Sequence, residues 1–142
     1  MTLDEIQAQA DKDLVIDDTE LDTESLKTPI LHNKYLQYYN KFNLLLKKSQ
    51  WEEKTLQREK WEYYTGKSDP EVYKEKPFDL KVLKADVHYY INADEDLQKV
   101  QAKMAYQEAI VYYLEQVLRT INNRSFTIKN AIEWRRFTSG AL

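Results

Sequence analysis

Residues 94–122 decide the fold class of this chain, and they read DEDLQKVQAKMAYQEAIVYYLEQVLRTIN. Asp94 is of a residue type that caps a helix at its start. After it, seven apolar residues share one helical face at steps of three and four: Leu97, Val100, Met104, Val111, Leu114, Leu118 and Ile121. This spacing is typical of a coiled coil, in which the polar Gln107 at a seam position can set register or subunit number. We predict a long helix whose seven apolar residues form an interface between copies of the chain.

The composition of the whole chain favours the same fold class. Two glycines and three prolines in 142 residues leave little turn chemistry for a β-sheet, whereas 32% charged residues suit long, partly exposed helices. Hydrophobic residues make up 42% of the chain, which is enough to bury a core rather than remain disordered. We therefore predict an all-α protein of long amphipathic helices with coiled-coil character that bury their faces between subunits.

Two further helices carry clear signals at their ends. Thr2 and Glu5 form a capping-box pattern at the start of a first helix that should end near Asp13. Apolar residues at helical spacing predict a long helix over residues 29–64. Gly66 should end it, because glycine readily takes the left-handed conformation beyond a helix terminus.

Three other segments are less regular. Residues 67–78 contain two of the three prolines, which predicts a flexible surface loop. Residues 80–91 fit a helix by spacing, but residues 87–91 could equally form a short strand. A separate last helix is expected to start at residue 125 or 127 and to run through residue 137, before Gly140.

The residue inventory argues against several function classes. Cysteine is absent and the two histidines, His32 and His88, lie in different elements, so we expect no metal site and no catalytic group, and hence no enzyme. Gly66 and Gly140 stand alone, so no phosphate-binding loop and no cofactor are expected. No apolar run approaches the roughly 20 residues that span a bilayer, and the first twelve residues are acidic, so we predict a cytoplasmic protein without a membrane partner.

The charges are distributed unevenly although the formal net charge is only −3. Residues 1–24 contain nine acids and one base, whereas residues 41–67 contain seven bases and four acids. Such an asymmetry between an acidic segment and a basic one suggests a nucleic-acid partner.

The most informative short stretch is residues 56–66, LQREKWEYYTG, where two cations precede a cluster of aromatic residues. Cations neutralise phosphates, and rings stack on unpaired bases without choosing a sequence. Arg58 and Lys60 lie about 200° apart on an ideal helix, so they cannot hold one phosphate together. We predict seven residues that bind single-stranded DNA: Lys54, Arg58, Lys60, Trp61, Tyr63, Tyr64 and Lys67. The alternative is that the rings only pack and the cations form a solvated face.

The arrangement base-x-base-x-x-Tyr-Tyr-x-Gly, filled here by Arg58, Lys60, Tyr63, Tyr64 and Gly66, resembles the signature of the UvsY family of T4-like phage recombination mediators. Residues 13–19, DLVIDDT, resemble the family's N-terminal segment, and residues 125–140 resemble its C-terminal segment. The chain departs from the signature by placing arginine before lysine and Glu59 between them, where a small residue is expected. Residues 67–123 match the family poorly.

The resemblance implies a ring-like homo-oligomer, a hexamer or heptamer, that binds single-stranded DNA. It also implies two partners, a phage RecA-like recombinase of the UvsX type and the phage single-strand-binding protein. The mediator helps the recombinase to displace the single-strand-binding protein from the DNA. Such a protein acts in recombination, repair and recombination-dependent replication in the cytoplasm of the infected bacterium. We accordingly expect an N-terminal DNA-binding region over residues 1–78 and a C-terminal oligomerisation region over residues 79–142. The rival hypothesis is a structural coiled-coil adaptor that binds no DNA.

Overall fold

The computed structural model describes residues 1–140, and within that range the chain is helical and contains no strand. The elements are α1 (Leu3–Asp13), α2 (Leu21–Tyr64), α3 (Pro70–Glu75), a 3₁₀ turn (Lys84–Asp86), α4 (Val87–Asn92) and α5 (Glu95–Thr138). Helices α2 and α5 are each 44 residues long. The predicted all-α class is therefore confirmed.

The chain divides into two compact units, and each unit contains part of α2 and part of α5. Residues 44–108 form one unit, and residues 1–43 form the other with the chain from Ala109 onward. These units do not coincide with the predicted regions 1–78 and 79–142, because α2 and α5 each contribute to both units. The predicted regions were defined by function, and as a functional division they stay a prediction.

Helix α1 has the capping box that the sequence predicts. The Thr2 hydroxyl accepts a hydrogen bond from the Glu5 N–H at 3.2 Å, and the Glu5 carboxylate accepts one from the Thr2 N–H at 3.0 Å. At the other end of α1, the carboxylate of Asp13 accepts hydrogen bonds from Lys34 at 2.6 Å and from Tyr35 at 2.7 Å. The acidic segment is thus tied to α2 at Asp13.

The predicted start of the second helix at residue 29 was wrong, because α2 begins eight residues earlier and contains Pro29. Proline removes one backbone hydrogen bond from a helix interior, but tertiary contacts can outweigh that loss. Here Arg124 forms an ion pair with Glu24 and also donates a hydrogen bond to the Thr28 hydroxyl. Arg124 and Glu24 are both buried, so they hold the first turns of α2 in place.

The predicted break in the last helix was also wrong, since α5 continues through residues 122–127. Ile121, Arg124 and Ile128 are all buried and are spaced by three and four, so one packed face runs across the expected break. Thr127 does not cap a new helix, because its hydroxyl donates to the Asn123 carbonyl within α5. Part of the predicted loop over residues 67–78 is α3, and residues 87–91 belong to α4 rather than to a strand.

The apolar seam predicted for α5 lies largely inside the single chain. Leu97, Leu114 and Ile121 are 0% exposed, and Val111 is buried as well. Val100, Met104 and Leu118 are partly exposed. The seam thus supplies the core of each unit, and its contact with other copies stays a prediction.

Replacing Leu114 by alanine should lower the free energy of unfolding by about 2–5 kcal/mol, because the change leaves a cavity in a core position. Asn122→Ala, at an exposed position of the same helix, should change it by less than about 0.5 kcal/mol. Urea denaturation measures both. If Leu114→Ala kept its stability and instead gave smaller species in sedimentation, Leu114 would belong to an intersubunit contact.

Candidate nucleic-acid interface

The seven residues predicted to bind DNA all lie in the unit formed by residues 44–108, but they do not share one surface. One group faces outward and consists of Lys54, Arg58, Trp61 and Lys67, all exposed. The other group faces inward and consists of Lys60, Tyr63 and Tyr64, which are buried or partly buried. The angle of about 200° between Arg58 and Lys60 on an ideal helix explains this division.

The inward group is organised by the carboxylate of Asp94, whose side chain is 1% exposed. One carboxylate oxygen accepts a hydrogen bond from the Leu97 N–H at 3.0 Å, which caps the start of α5 as the sequence predicts. The other accepts a hydrogen bond from the Tyr64 hydroxyl at 2.6 Å and lies 3.4 Å from the Lys60 ammonium. Asp94 therefore ties the last turns of α2 to the first turn of α5.

The charged state of this cluster follows from its contacts. Burial alone would raise the pKa of Asp94, but the hydrogen bonds from Tyr64 and from the Leu97 N–H, with the charge of Lys60, hold it below its ordinary value. Burial would likewise lower the pKa of Lys60, yet the hydrogen bond to Asp96 and the charge of Asp94 raise it. Lys60 is thus a charged partner of two carboxylates. If a DNA phosphate paired with Lys60 instead, the carboxylate of Asp94 would stay buried without its cation.

Tyr63 is a core residue of this unit, not a free ring. Its hydroxyl donates to the Lys76 carbonyl at 2.9 Å, and its ring stacks on that of Tyr73 with centroids 5.4 Å apart. The Tyr73 hydroxyl in turn donates to the Tyr63 carbonyl at 2.8 Å. Tyr63 and Tyr73 therefore fasten α3 and the segment after it onto the end of α2.

The end of α2 confirms the role predicted for Gly66, whose φ is +77°. The Lys67 N–H donates to the Glu62 carbonyl at 2.8 Å, which is the six-residue hydrogen bond of a Schellman motif. This turn brings the Lys67 ammonium to 4.2 Å from the centroid of the Trp61 ring, which is within cation–π range.

The outward group is available to a polyanion. The Arg58 side chain is 68% exposed, and its nearest carboxylate, that of Glu62, is 3.9 Å away. Lys54 forms no ion pair with any carboxylate of the described range. Trp61 is 42% exposed beside them. Cations and a ring face are therefore presented together, as binding of unpaired nucleotides requires.

An open aromatic cleft of about 750 Å³ lies next to the inward group. Tyr63 and Tyr64 line it together with Phe78, Tyr89 and Tyr90. The Phe78 ring packs edge-on against that of Tyr64 at 5.0 Å, so Phe78 helps to close the end of the helix pair within this unit. The packing of Tyr73, Phe78 and Tyr90 against the end of α2 was not predicted from the sequence, although the density of aromatic residues in residues 73–90 was a usable signal.

Within residues 1–140, no three or more His, Cys, Asp or Glu side chains are arranged to hold a metal ion. In the same range, every helix is too short or too polar to cross a membrane.

Comparison with known proteins agrees with the resemblance found in the sequence. The family model described as recombination, repair and ssDNA binding protein UvsY matches residues 9–141. Over 140 residues, the chain is 24% identical to the recombination protein uvsY of Enterobacteria phage T4, with 99% of both chains covered.

Solved structures show the same fold. One crystal structure of the bacteriophage T4 recombination mediator protein UvsY, in lattice type II, has a TM-score of 0.86 at 24% identity, with 98% of each chain covered. Another, in lattice type I, has a TM-score of 0.84 at 24% identity, with 94% of this chain and 98% of that chain covered. The helical architecture is thus retained at low sequence identity.

Replacing Lys60 by methionine should lower the free energy of unfolding by about 3 kcal/mol, the low end for breaking a buried pair, because Tyr64 and Leu97 still hydrogen-bond Asp94. The matched variant Arg58→Met should change stability by less than about 0.5 kcal/mol and should weaken binding of single-stranded DNA instead. Urea denaturation and fluorescence anisotropy measure the two effects. The reverse pattern would make Lys60 the DNA contact and Arg58 the structural residue.

The stabilisation provided by Asp94 should depend on pH. Because its pKa is lowered in the folded state, the unfolded chain binds more protons, and stability falls as the pH falls through the folded-state pKa. The difference in free energy of unfolding between the wild type and Asp94→Asn should have its full size above pH 3.8, the ordinary pKa of the group, and should disappear in stronger acid. Thermal denaturation over a series of pH values measures it, and a difference independent of pH would contradict the ionised cap.

Proposed function

The chain belongs to the UvsY family of recombination, repair and single-stranded-DNA-binding proteins, and on this premise we propose that it is a recombination mediator. It binds single-stranded DNA and promotes loading of a phage RecA-like recombinase, of the UvsX type, onto strands coated by the phage single-strand-binding protein. The observation that carries this proposal is the outward group of exposed cations and Trp61 on α2 and just beyond it. The protein would act in recombination, repair and recombination-dependent replication in the cytoplasm of the infected bacterium.

Within this proposal the seven predicted residues have two different roles. Lys54, Arg58 and Lys67 neutralise phosphates, and Trp61 offers its ring to a base. Lys60, Tyr63 and Tyr64 are positioning residues, because their hydrogen bonds and ion pairs lie within the protein. They act on DNA by holding the end of α2 in a fixed orientation.

We infer that the protein functions as a ring of six or seven copies. The outward group of one subunit contributes only three cations, Lys54, Arg58 and Lys67, so a strand that contacts several subunits gains affinity through multivalency. The proposed interface uses the partly exposed seam residues Val100, Met104 and Leu118, together with apolar side chains of the last turns of α5. Phe126, Trp134 and Phe137 are each about two-thirds exposed, and a monomer rarely leaves such rings uncovered.

The chemistry of the site suits a mediator. A single-strand-binding protein and a recombinase both engage the same phosphates and bases, so a mediator must hold the strand without reading its sequence. A site built from a few cations and one ring per subunit can also release the strand one subunit at a time. That property would let a recombinase replace the mediator progressively along the DNA.

The rival hypothesis, a structural coiled-coil adaptor, needs only the helical faces of α2 and α5. It does not require Arg58 and Lys54 to stay free of strong ion pairs or Trp61 to remain exposed beside them. These features favour the DNA-binding function over the adaptor.

The logarithm of the affinity for a thymidine oligonucleotide should fall linearly with the logarithm of the salt concentration, and each phosphate neutralised should contribute about −0.7 to the slope. Arg58→Met should flatten that slope by about 0.7 per engaged subunit, whereas Lys129→Met, in the other unit, should leave it unchanged. Anisotropy titrations over a salt series give both slopes. Absence of binding would support the adaptor, whereas an affinity independent of salt would refute a site that works by phosphate neutralisation.

Loading itself is measured by the DNA-dependent ATPase of the recombinase on strands precoated with single-strand-binding protein. The wild-type chain should shorten the lag before hydrolysis, and Arg58→Met should shorten it less. A lag unaffected by the wild-type protein, under conditions where it binds DNA, would contradict the mediator function while leaving the binding function intact.

A further inference from the structure

Cations and tryptophans lie together along the outer face of α2, from residue 47 into the motif at residues 58–66. At about 100° per residue, five side chains fall within an arc of about 80° on an ideal helix. They are Lys47, Trp51, Lys54, Arg58 and Trp61. No acidic residue between positions 44 and 65 falls within the same arc. We call these five residues the tryptophan stripe.

The tryptophan stripe faces away from the core of its unit. Leu46, Ser49 and Tyr63 are buried on roughly the opposite side of α2, where Lys60 also points. All five stripe residues are exposed, and Trp51 is 66% exposed. A tryptophan buries a large apolar area when it finds a partner, so one left this exposed in the single chain marks a contact surface.

The charges of the stripe indicate what that partner is. Neither Lys47 nor Lys54 pairs with a carboxylate in the part of the chain that the structure describes. Among residues 1–140, the carboxylate that pairs with Arg58 is that of Glu62, 3.9 Å away on the edge of the stripe. A second copy of the chain would have to bring acids to three cations, whereas a nucleic-acid strand supplies phosphates and bases in regular alternation.

The spacing of the rings fits a strand laid along the helix. Trp51 and Trp61 are ten residues apart, which corresponds to about 15 Å along the helix axis. At about 3.4 Å per nucleotide in a stacked strand, that length spans about four nucleotide steps. Lys54 and Arg58 lie between the rings, where the intervening phosphates would pass. The Lys67 ammonium lies over the Trp61 ring, and the Trp61 side chain is still 42% exposed.

We propose that the tryptophan stripe is a single-strand track in which Trp51 and Trp61 each stack on an unpaired base while Lys47, Lys54 and Arg58 pair with phosphates. This inference rests on the proposed DNA-binding function and deepens it, because it adds Trp51 and Lys47 to the site and assigns the mode of contact. Stacking on an indole does not discriminate between bases, so the track tolerates any sequence.

The test compares Trp51→Leu and Trp61→Leu with the control Tyr89→Leu. Tyr89 is 65% exposed and belongs to the same unit, but it lies on α4, outside the stripe. Two probes are used: a thymidine oligonucleotide and an oligonucleotide of equal length whose internal sites are abasic. Each tryptophan variant should bind the thymidine oligonucleotide about 5- to 150-fold more weakly than the wild type does. The same variants should bind the abasic oligonucleotide almost as tightly as the wild type does. Tyr89→Leu should match the wild type on both probes.

The possible outcomes separate this inference from the proposed function. If both tryptophan variants bind like the wild type while Arg58→Met binds weakly, the stacking track is wrong and the DNA-binding function stands. If Trp51→Leu loses affinity equally for both probes and sediments as a smaller species, Trp51 lies between copies and the track is also wrong. If the wild type binds neither probe, the proposed function itself fails.

Discussion

The buried carboxylate of Asp94 is the interaction on which the candidate site depends. It caps α5 through the Leu97 N–H and joins the end of α2 through Tyr64 and Lys60. A helix is stiff over a few turns, so fixing Lys60 and Tyr64 inward also fixes the direction of the side chains between and before them. Arg58, Trp61 and Lys54 consequently face outward because the other side of α2 is held. An internal ion pair thus orients a surface that offers free cations.

This arrangement explains how a chain of net charge −3 can present a basic binding face. Acids and bases that serve the fold are paired within the protein, as Lys60 is with Asp94 and Asp96, or Lys34 with Asp13. Cations on the outer face of α2 are left largely without partners. What matters for a polyanion is the local field of unpaired charge rather than the net charge of the chain.

Much of the fold could be predicted from local sequence signals. The capping box of Thr2 and Glu5, the cap at Asp94 and the terminus at Gly66 each depend on a few neighbouring residues, and each was confirmed. The errors arose where distant contacts override local preference. Pro29 and residues 122–127 look like helix boundaries, but the buried pair of Glu24 and Arg124, 100 residues apart in sequence, holds both regions helical.

The candidate site shows the same limit. Residue types and the family signature selected a basic and aromatic stretch, but they could not distinguish Lys60 from Arg58, because the burial of Lys60 depends on Asp94 in another helix. Trp51 was missed for a different reason. Its helical phase relative to Arg58 was available in the sequence, but its exposure became evident only when the packed side of α2 was known.

Mapping of ultraviolet cross-links tests the central claim most directly, namely that single-stranded DNA lies along the outer face of α2. The protein is irradiated together with a thymidine oligonucleotide and is then digested, and the cross-linked residues are identified by mass spectrometry. The account predicts cross-links concentrated in residues 47–67, with Trp51 and Trp61 foremost. Cross-links confined to residues 1–43, to residues beyond 109, or to Tyr89 and Tyr90 would contradict it.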